Sequence, residues 1–287
     1  MINALTVDVE DYFQVQAFAP YIRRCEWNSY PNRVKQNTRK ILAILDDFGV
    51  KATFFILGWI AERMPDLVKE IAANGHEIAC HGYGHQMVSE LNEREFRDDV
   101  KKAKLVTENI AGCQVKGYRA PSYSITRNTL WALEILAEEG FEFDSSIFPV
   151  HHDNYGIPEA PRFPYRHKLQ SGKILAEFPP STVRRCGVNL PVAGGGYLRL
   201  FPYYITARAI CGINEKEVQP AMLYVHPWEF DPDQPRISAS WLSRFRHYTN
   251  LESTRKKFER LLREFRWAPM SEVLSARGDK PLAYELI

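Results

Sequence analysis

His76-Glu77-Ile78-Ala79-Cys80-His81-Gly82-Tyr83-Gly84-His85 is an apolar run that ends on two imidazoles four residues apart. On a helix that spacing would put both rings on one face, as in zinc proteases. Glycines at 82 and 84 argue against a helix, and residues 76–80 read as a strand, so the histidines leave a strand end through a flexible loop. There they can converge on one cation if a carboxylate arrives from another element. Leu5-Thr6-Val7-Asp8-Val9-Glu10-Asp11 offers three, at the end of a second short apolar segment. Together the two segments read as a metal site with a general base beside it.

Outward from these segments, short apolar runs alternate with helical periodicity as far as about residue 145. Strands are expected at 3–9, 52–57, 76–80, 115–118 and 141–144, and again at 174–178 and 221–225. Helices are expected at 33–48, stopped by Gly49, and at 65–74, ending at Gly75. A third opens at Asn92, with Glu95 completing a capping box, and runs to Ala111 before Gly112. Thr126 caps a fourth, to Glu139. This cadence argues for parallel strands, in a barrel or a doubly wound sheet. Asp8, His81, Arg119, Asp144 and His226 each fall at the carboxyl end of an expected strand. A barrel rings such residues around one opening, whereas an open sheet spreads them along a crevice. The expectation is therefore an α/β fold, an incomplete or distorted (β/α) barrel.

The rest of the chain is read as part of the same single domain, with a core at about 3–230 and a helical extension at about 231–287. Residues 148–166, rich in proline and aromatics, form a long ordered loop. Gly194-Gly195-Gly196 is a tight turn and not a phosphate loop, because no Lys-Ser/Thr follows it. The last amphipathic helix spans 251–267. A formal charge of +2 gives no global argument for nucleic acid, and no apolar run approaches the ~20 residues that span a bilayer. Five scattered cysteines (25, 80, 113, 186, 211) fit reduced thiols, and the first residues lack a basic n-region and long apolar run, so a soluble cytoplasmic protein is expected.

Five blocks stand in order along the chain: T-V-D-V-E-D at 6–11, H-G-Y-G-H at 81–85, R-A-P-S-Y at 119–123, D-S-S at 144–146 and L-Y-V-H-P-W at 223–228. Together they resemble the NodB-type polysaccharide deacetylases, carbohydrate esterase family 4. The resemblance is nearest to a peptidoglycan-deacetylase-like and allantoinase-like branch, whose first motif reads D-x-D/E. The stretch R-F-R-H-Y-T-N-L at 244–251 looks like deacetylases found near exosortase and exopolysaccharide gene clusters. Three positions depart from the family pattern. Val9 separates Asp8 from the next carboxylate, Gly82 stands where Ser or Thr is usual, and Phe148 stands near the usual tryptophan of the fourth motif. In an extended strand residues 8 and 10 share a face and 11 points away, which favours Glu10 as the third ligand; a bend after Val9 would present Asp11 instead.

The resemblance implies a metal-dependent amide hydrolysis. Glu10, His81 and His85 would hold one divalent ion, zinc first, with cobalt, manganese, iron or nickel as alternatives. Asp8 would be the base, Arg119 would hold it ionised, Asp144 would pair with that arginine, and His226 would protonate the leaving amine. The oxyanion would rest on the metal and a backbone N–H near Tyr123. Pro121, Tyr123, Pro227 and Trp228 would line a sugar subsite. The implied substrate is a carbohydrate, an N-acetylated amino sugar of an exopolysaccharide precursor and conceivably lipid-linked; rival readings are a cyclic amide hydrolase and a silent carbohydrate-binding protein.

Taken singly, each residue has a plainer reading: a hydrogen-bonded strand-end histidine, a structural ion pair for Arg119, a cap for Asp144. Five ordered blocks reverse that weighting for the set. His151, His152, His247 and Tyr248 read as loop residues to which the sequence assigns no role. From Arg236 to Arg266 nine Lys or Arg face three Glu. That stretch reads as a solvated face, with contact to an anionic membrane surface, at the inner face of the membrane, as the functional alternative.

Overall fold

The computed structural model describes residues 1–276 apart from 153, 154 and 193, together with a strand at Ala283–Tyr284. The strands are β1 (Ile2–Val9), β2 (Thr53–Ile56), β3 (Glu77–Cys80), β4 (Gly117–Tyr118), β5 (Phe143–Asp144) and β6 (Tyr165–Lys168). They continue as β7 (Ile174–Glu177), β8 (Thr182–Arg185), β9 (Val188–Pro191), β10 (Met222–Val225), β11 (Arg266–Ala268) and β12 (Ala283–Tyr284). The main sheet runs β10-β1-β2-β3-β4-β5-β7-β6-β12, with β11 also paired to β1. Its pairings are parallel except β6 with β7. The sheet curls into a half barrel, the incomplete barrel expected from the strand-end residues.

Alternation along β1 builds two cores at once. Leu5, Val7 and Val9 point to the outer core under the helices. Ala4, on the opposite face, joins an inner core with Phe55, Ala79, Tyr123, Met222 and Tyr224. Thr6 and Asp8 share that inner face, buried, so two polar side chains enter an otherwise apolar interior.

The helices are α1 (Val34–Asp47), α2 (Gly58–Arg63), α3 (Pro65–Ala73), α4 (Glu93–Ala111) and α5 (Trp131–Glu138). After these come α6 (Gly196–Leu200), α7 (Tyr203–Glu215), α8 (Trp241–Tyr248), α9 (Leu251–Glu264) and α10 (Met270–Ala276). The α4 capping box forms in both directions between Asn92 and Glu95, and Gly112 ends that helix in the left-handed region at φ 70°. Among the described residues no helix is long and apolar enough to cross a membrane.

Three sequence expectations change. The helix expected over 126–139 is split: the Thr126 N–H donates to Thr129 Oγ1 at 2.8 Å, holding a short 3-10 turn before α5 begins at Trp131. The helix expected to reach 267 ends at Glu264, and the next residues return to the core as β11 beside the start of β1. Trp267 closes that corner by donating Nε1–H to Leu261 O at 2.9 Å. The C-terminal region is therefore not a purely helical extension. The glycine run is not only a turn, because α6 starts at Gly196. Gly194, at φ 130°, lies so close to β10 that a Cβ would stand 2.0 Å from Tyr224 O, which is why no larger residue fits there.

Candidate metal and catalytic site

Glu10, His81 and His85 each present a ligand atom within 4.8 Å of the other two, and all three are buried. The loop that carries the histidines is shaped by its neighbours. Gly82 takes φ 72°, and His85 itself sits in the left-handed region at φ 51°, a conformation costly for a non-glycine residue. Gly82 O and Tyr83 O accept from the first N–H groups of α2, Gly58 and Trp59, at 2.9 and 3.0 Å. Asp99 of α4 accepts from the Tyr83 N–H at 2.8 Å. The loop is therefore held from two helices at once.

The donor set suits a divalent cation. His81 Nδ1 lies 2.8 Å from Arg119 O, so its Nε2 is left to face the site. Burial holds the His81 imidazole down at about 4, keeping it neutral. Burial alone would raise the Glu10 carboxyl, but the His85 and His226 imidazoles outweigh it and hold it at about 2. Glu10 Oε2 comes within 2.9 Å of His85 Nε2 yet has no hydrogen-bond partner. An ionised carboxylate oxygen and an imidazole nitrogen that meet without a hydrogen bond make a fitting pair of ligands for one ion. Asp11 turns away. Its Oδ2 accepts from the Arg33 and Val34 N–H groups at 2.7 and 2.9 Å, capping the start of α1.

Asp8 Oδ1 meets Arg119 Nη1 at 2.5 Å, and the same Nη1 donates to Thr6 Oγ1 at 2.9 Å. The guanidinium is fully buried, over the Phe55 ring at 4.1 Å, and also donates to Ser145 O and Ser145 Oγ at 3.3 and 3.0 Å. Asp144 does not pair with it. Residues 144 and 145 point to opposite sides of the chain, so Ser145 reaches the arginine while Asp144 accepts from Ser146 Oγ at 2.6 Å and faces Glu177. Ser146 in turn accepts from the Ala120 N–H at 2.8 Å, so Asp144 supports the Arg119-Tyr123 turn from below.

His226 stands opposite, with Nε2 3.3 Å from Glu10 Oε1 and 4.0 Å from Asp8 Oδ2. Glu229, unremarked in the sequence reading, meets His226 Nδ1 at 3.2 Å and the His226 N–H at 2.9 Å. Its i,i+3 spacing after a strand end is the capping-box pattern, the one signal that could have found it. Arg199 clamps Glu229 at 2.7 Å and donates to the carbonyls of Arg246, His247 and Thr249. Burial alone would lower the His226 imidazole, but Glu10, Glu229 and Asp8 outweigh it and hold it at about 9.

These groups line a cavity of about 210 Å³ with Ala120, Ser122, Tyr123, Tyr155, Tyr224 and Trp228. Pro121 and Pro227 are not on its wall. The Trp228 ring is stacked by His226 at 5.1 Å and His247 at 4.0 Å, with the Arg199 guanidinium over it at 5.1 Å, and its Nε1–H donates to Glu10 Oε1 at 3.3 Å. Trp228 thus props the carboxylate, and His247 is a buried support and not a loop residue. The Tyr123 N–H is taken by Ala120 O at 3.0 Å and is not a free oxyanion donor. Ser122 and Tyr123 both have positive φ, 56° and 54°, so this wall is strained backbone.

Two measurements follow from this geometry. Asp11→Ala should lower stability by about 0.5–2 kcal/mol through loss of the cap while leaving divalent-metal binding intact. Glu10→Gln should do the reverse, as read by calorimetric titration with zinc and by thermal melts. Asp144 and Glu177 form a buried carboxyl pair, raised by burial, Asp144 to about 6 and Glu177 further. The folded chain therefore binds protons more tightly than the unfolded one, and this pair's contribution, full below the unfolded carboxyl range, is lost as pH rises through about 6. Glu177→Gln should melt higher than wild type at pH 8, with the gap closing toward pH 5; a constant gap would refute the raised carboxyl pair.

Known proteins with the same features can now be set beside this site. The polysaccharide deacetylase family model matches residues 27–141, and a domain of unknown function (DUF3473) matches 145–275. A peptidoglycan-N-acetylglucosamine deacetylase of Bacillus cereus is 43% identical over 98 residues, 34% of this chain and 36% of that protein. The chain spans about a third of the length of the curated relatives it matches. A solved Mycobacterium smegmatis chain, provisionally described as a polysaccharide deacetylase, superposes with a TM-score of 0.67 at 21% identity, covering 100% of this chain and 93% of that one. A carbohydrate esterase family 4 pseudoenzyme from Bacillus anthracis shares the fold at a TM-score of 0.50 and 15% identity, over 95% of this chain and 65% of that one. The fold is therefore shared by a chain described as inactive, and any assignment of chemistry rests on the side chains. Over residues 27–141, which carry His81, His85 and Arg119, the chain is thus similar to the polysaccharide deacetylases, and it shares their fold.

Proposed function

We propose that this protein hydrolyses the N-acetyl amide of an amino sugar in a polysaccharide, with one divalent metal ion held by Glu10, His81 and His85. The observation that carries this reading is the convergence of that ligand set, the Arg119-bound Asp8 and His226 on one small cavity. When bound, the ion would polarise the acetyl carbonyl and ease ionisation of water; zinc suits the ligands best, though nitrogen and oxygen donors select weakly.

The chain's own groups divide the proton work. Asp8 keeps Oδ2 free of the arginine, which binds Oδ1. That oxygen accepts the proton of the attacking water, and Arg119 holds the carboxylate in place through Oδ1. The water oxygen bonds to the acetyl carbon and the C–N bond breaks, releasing acetate. His226, charged between Glu10, Glu229 and Asp8, gives its proton to the departing amine. The cavity is smaller than the roughly 300–1,000 Å³ of typical small-molecule pockets, which suits one acetylated sugar with the rest of the polymer outside.

The resemblance of residues 244–251 makes an exopolysaccharide precursor the substrate we propose. Five free thiols support a reducing, cytoplasmic setting for it. Acetate release from N-acetylglucosamine oligomers with added zinc tests the reaction. Asp8→Asn should lower kcat by about 100-fold or more while metal content stays near one per chain. No acetate from any N-acetylated sugar, with metal bound, would sink the reading.

A further inference from the structure

The exposed surface of α8 carries a feature that deacetylation does not use. Trp241, Leu242 and Phe245 are 75%, 47% and 42% exposed, and the Trp241 and Phe245 rings stack at 5.4 Å. At ~100° per residue these three side chains span one arc of the helix, with Arg244 just beyond one edge and Arg246 just beyond the other. Tyr21, also exposed, lies against the start of α8, its hydroxyl accepting from the Ser240 N–H at 3.0 Å.

Arg94, Arg184, Arg185 and Arg208 are exposed without an ion pair among the described residues, whereas many other surface arginines are neutralised. Arg23, Arg39, Arg97, Arg127, Arg255 and Arg260 each pair with a carboxylate. Arg236, Arg244 and Arg246 are exposed and make no ion pair with the described residues. From 234 to 251 the sequence has no Asp or Glu at all. An apolar stripe with Phe245 at its middle, Trp241 and Leu242 at its edges and arginines without ion pairs on both flanks fits the interface of an anionic bilayer, where aromatic rings settle at headgroup depth and arginines meet lipid phosphates. A second copy of the chain fits less well. Two aromatics of about 150–250 Å² each and one leucine, all only partly exposed, fall short of the roughly 800 Å² per partner of a standard interface.

We propose that α8 docks the protein on an anionic membrane surface, with Trp241, Leu242 and Phe245 entering the headgroup layer and Arg236, Arg244 and Arg246 binding lipid phosphates. The opposite face of the same helix carries His247, which stacks on Trp228 beside Glu10. Docking therefore brings the catalytic cavity next to the lipid surface, where a lipid-linked glycan would lie. The surface can be tested without any catalytic readout, so its failure is distinct from failure of the deacetylase reading.

Flotation with phosphatidylglycerol–phosphatidylcholine vesicles, against pure phosphatidylcholine, measures it on the full chain. Wild type should float with the anionic vesicles at low salt and be released at high salt. Arg244→Gln with Arg246→Gln should weaken binding by about 25-fold, at roughly fivefold per interfacial arginine. Trp241→Ser with Phe245→Ser should also abolish flotation, and both double variants should keep the wild-type circular dichroism. Absence of wild-type flotation at low salt would overturn the proposal. So would unchanged flotation of folded variants, or a wild-type dimer that the Trp241→Ser and Phe245→Ser changes dissolve without any lipid binding.

Discussion

A guanidinium buried at the centre of a half barrel sets the terms for everything around it. Arg119 is fully enclosed, and a charge so placed without partners would cost several kcal/mol. Its partners come from three strands: Thr6 and Asp8 on β1, Ser145 just past β5, and the Phe55 face on β2. Its carbonyl meanwhile orients His81. The residue that holds the proposed base in place also aims one of the proposed ligands. Base and ligand set are thereby fixed relative to each other by one residue.

The site is assembled from both halves of the chain. The deacetylase segment supplies His81, His85 and Arg119, while Asp8 and Glu10 precede it and His226 follows it. The later segment returns β10 and β11 to either side of β1 and sends Arg199 to clamp Glu229 against His226. Because Arg199 also binds three carbonyls at the C-terminal end of α8, the C-terminal region braces the imidazole from outside the barrel.

Much of this was legible in the sequence, for reasons that are local. Glycines at 49, 75, 112 and 140, the Asn92–Glu95 box and short apolar runs are short-range signals, and they place the central elements within a few residues. That Glu10 and not Asp11 stands beside the histidines depends on something the sequence does not carry, the position of the α1 N-terminus, whose N–H groups claim Asp11. Asp144 was misread because its neighbour Ser145 does the work of meeting Arg119, a choice made by strand direction at a two-residue strand. Trp228 was read as a sugar platform, yet His247 covers its ring from a helix whose docking no motif announces. The β8–β9 hairpin and β11 were missed because their side chains are too polar or their runs too short to show a period.

The central claim is that Glu10, His81 and His85, and not Asp11 or a cysteine, form the inner shell of one metal ion beside Arg119-bound Asp8. X-ray absorption at the zinc edge of the zinc-loaded protein tests it most directly. The spectrum should show two imidazoles at about 2.0–2.1 Å with oxygen ligands completing the shell, and one imidazole should disappear in His85→Ala. A sulfur scatterer, a third imidazole from His226, or a shell unchanged in His85→Ala would contradict it.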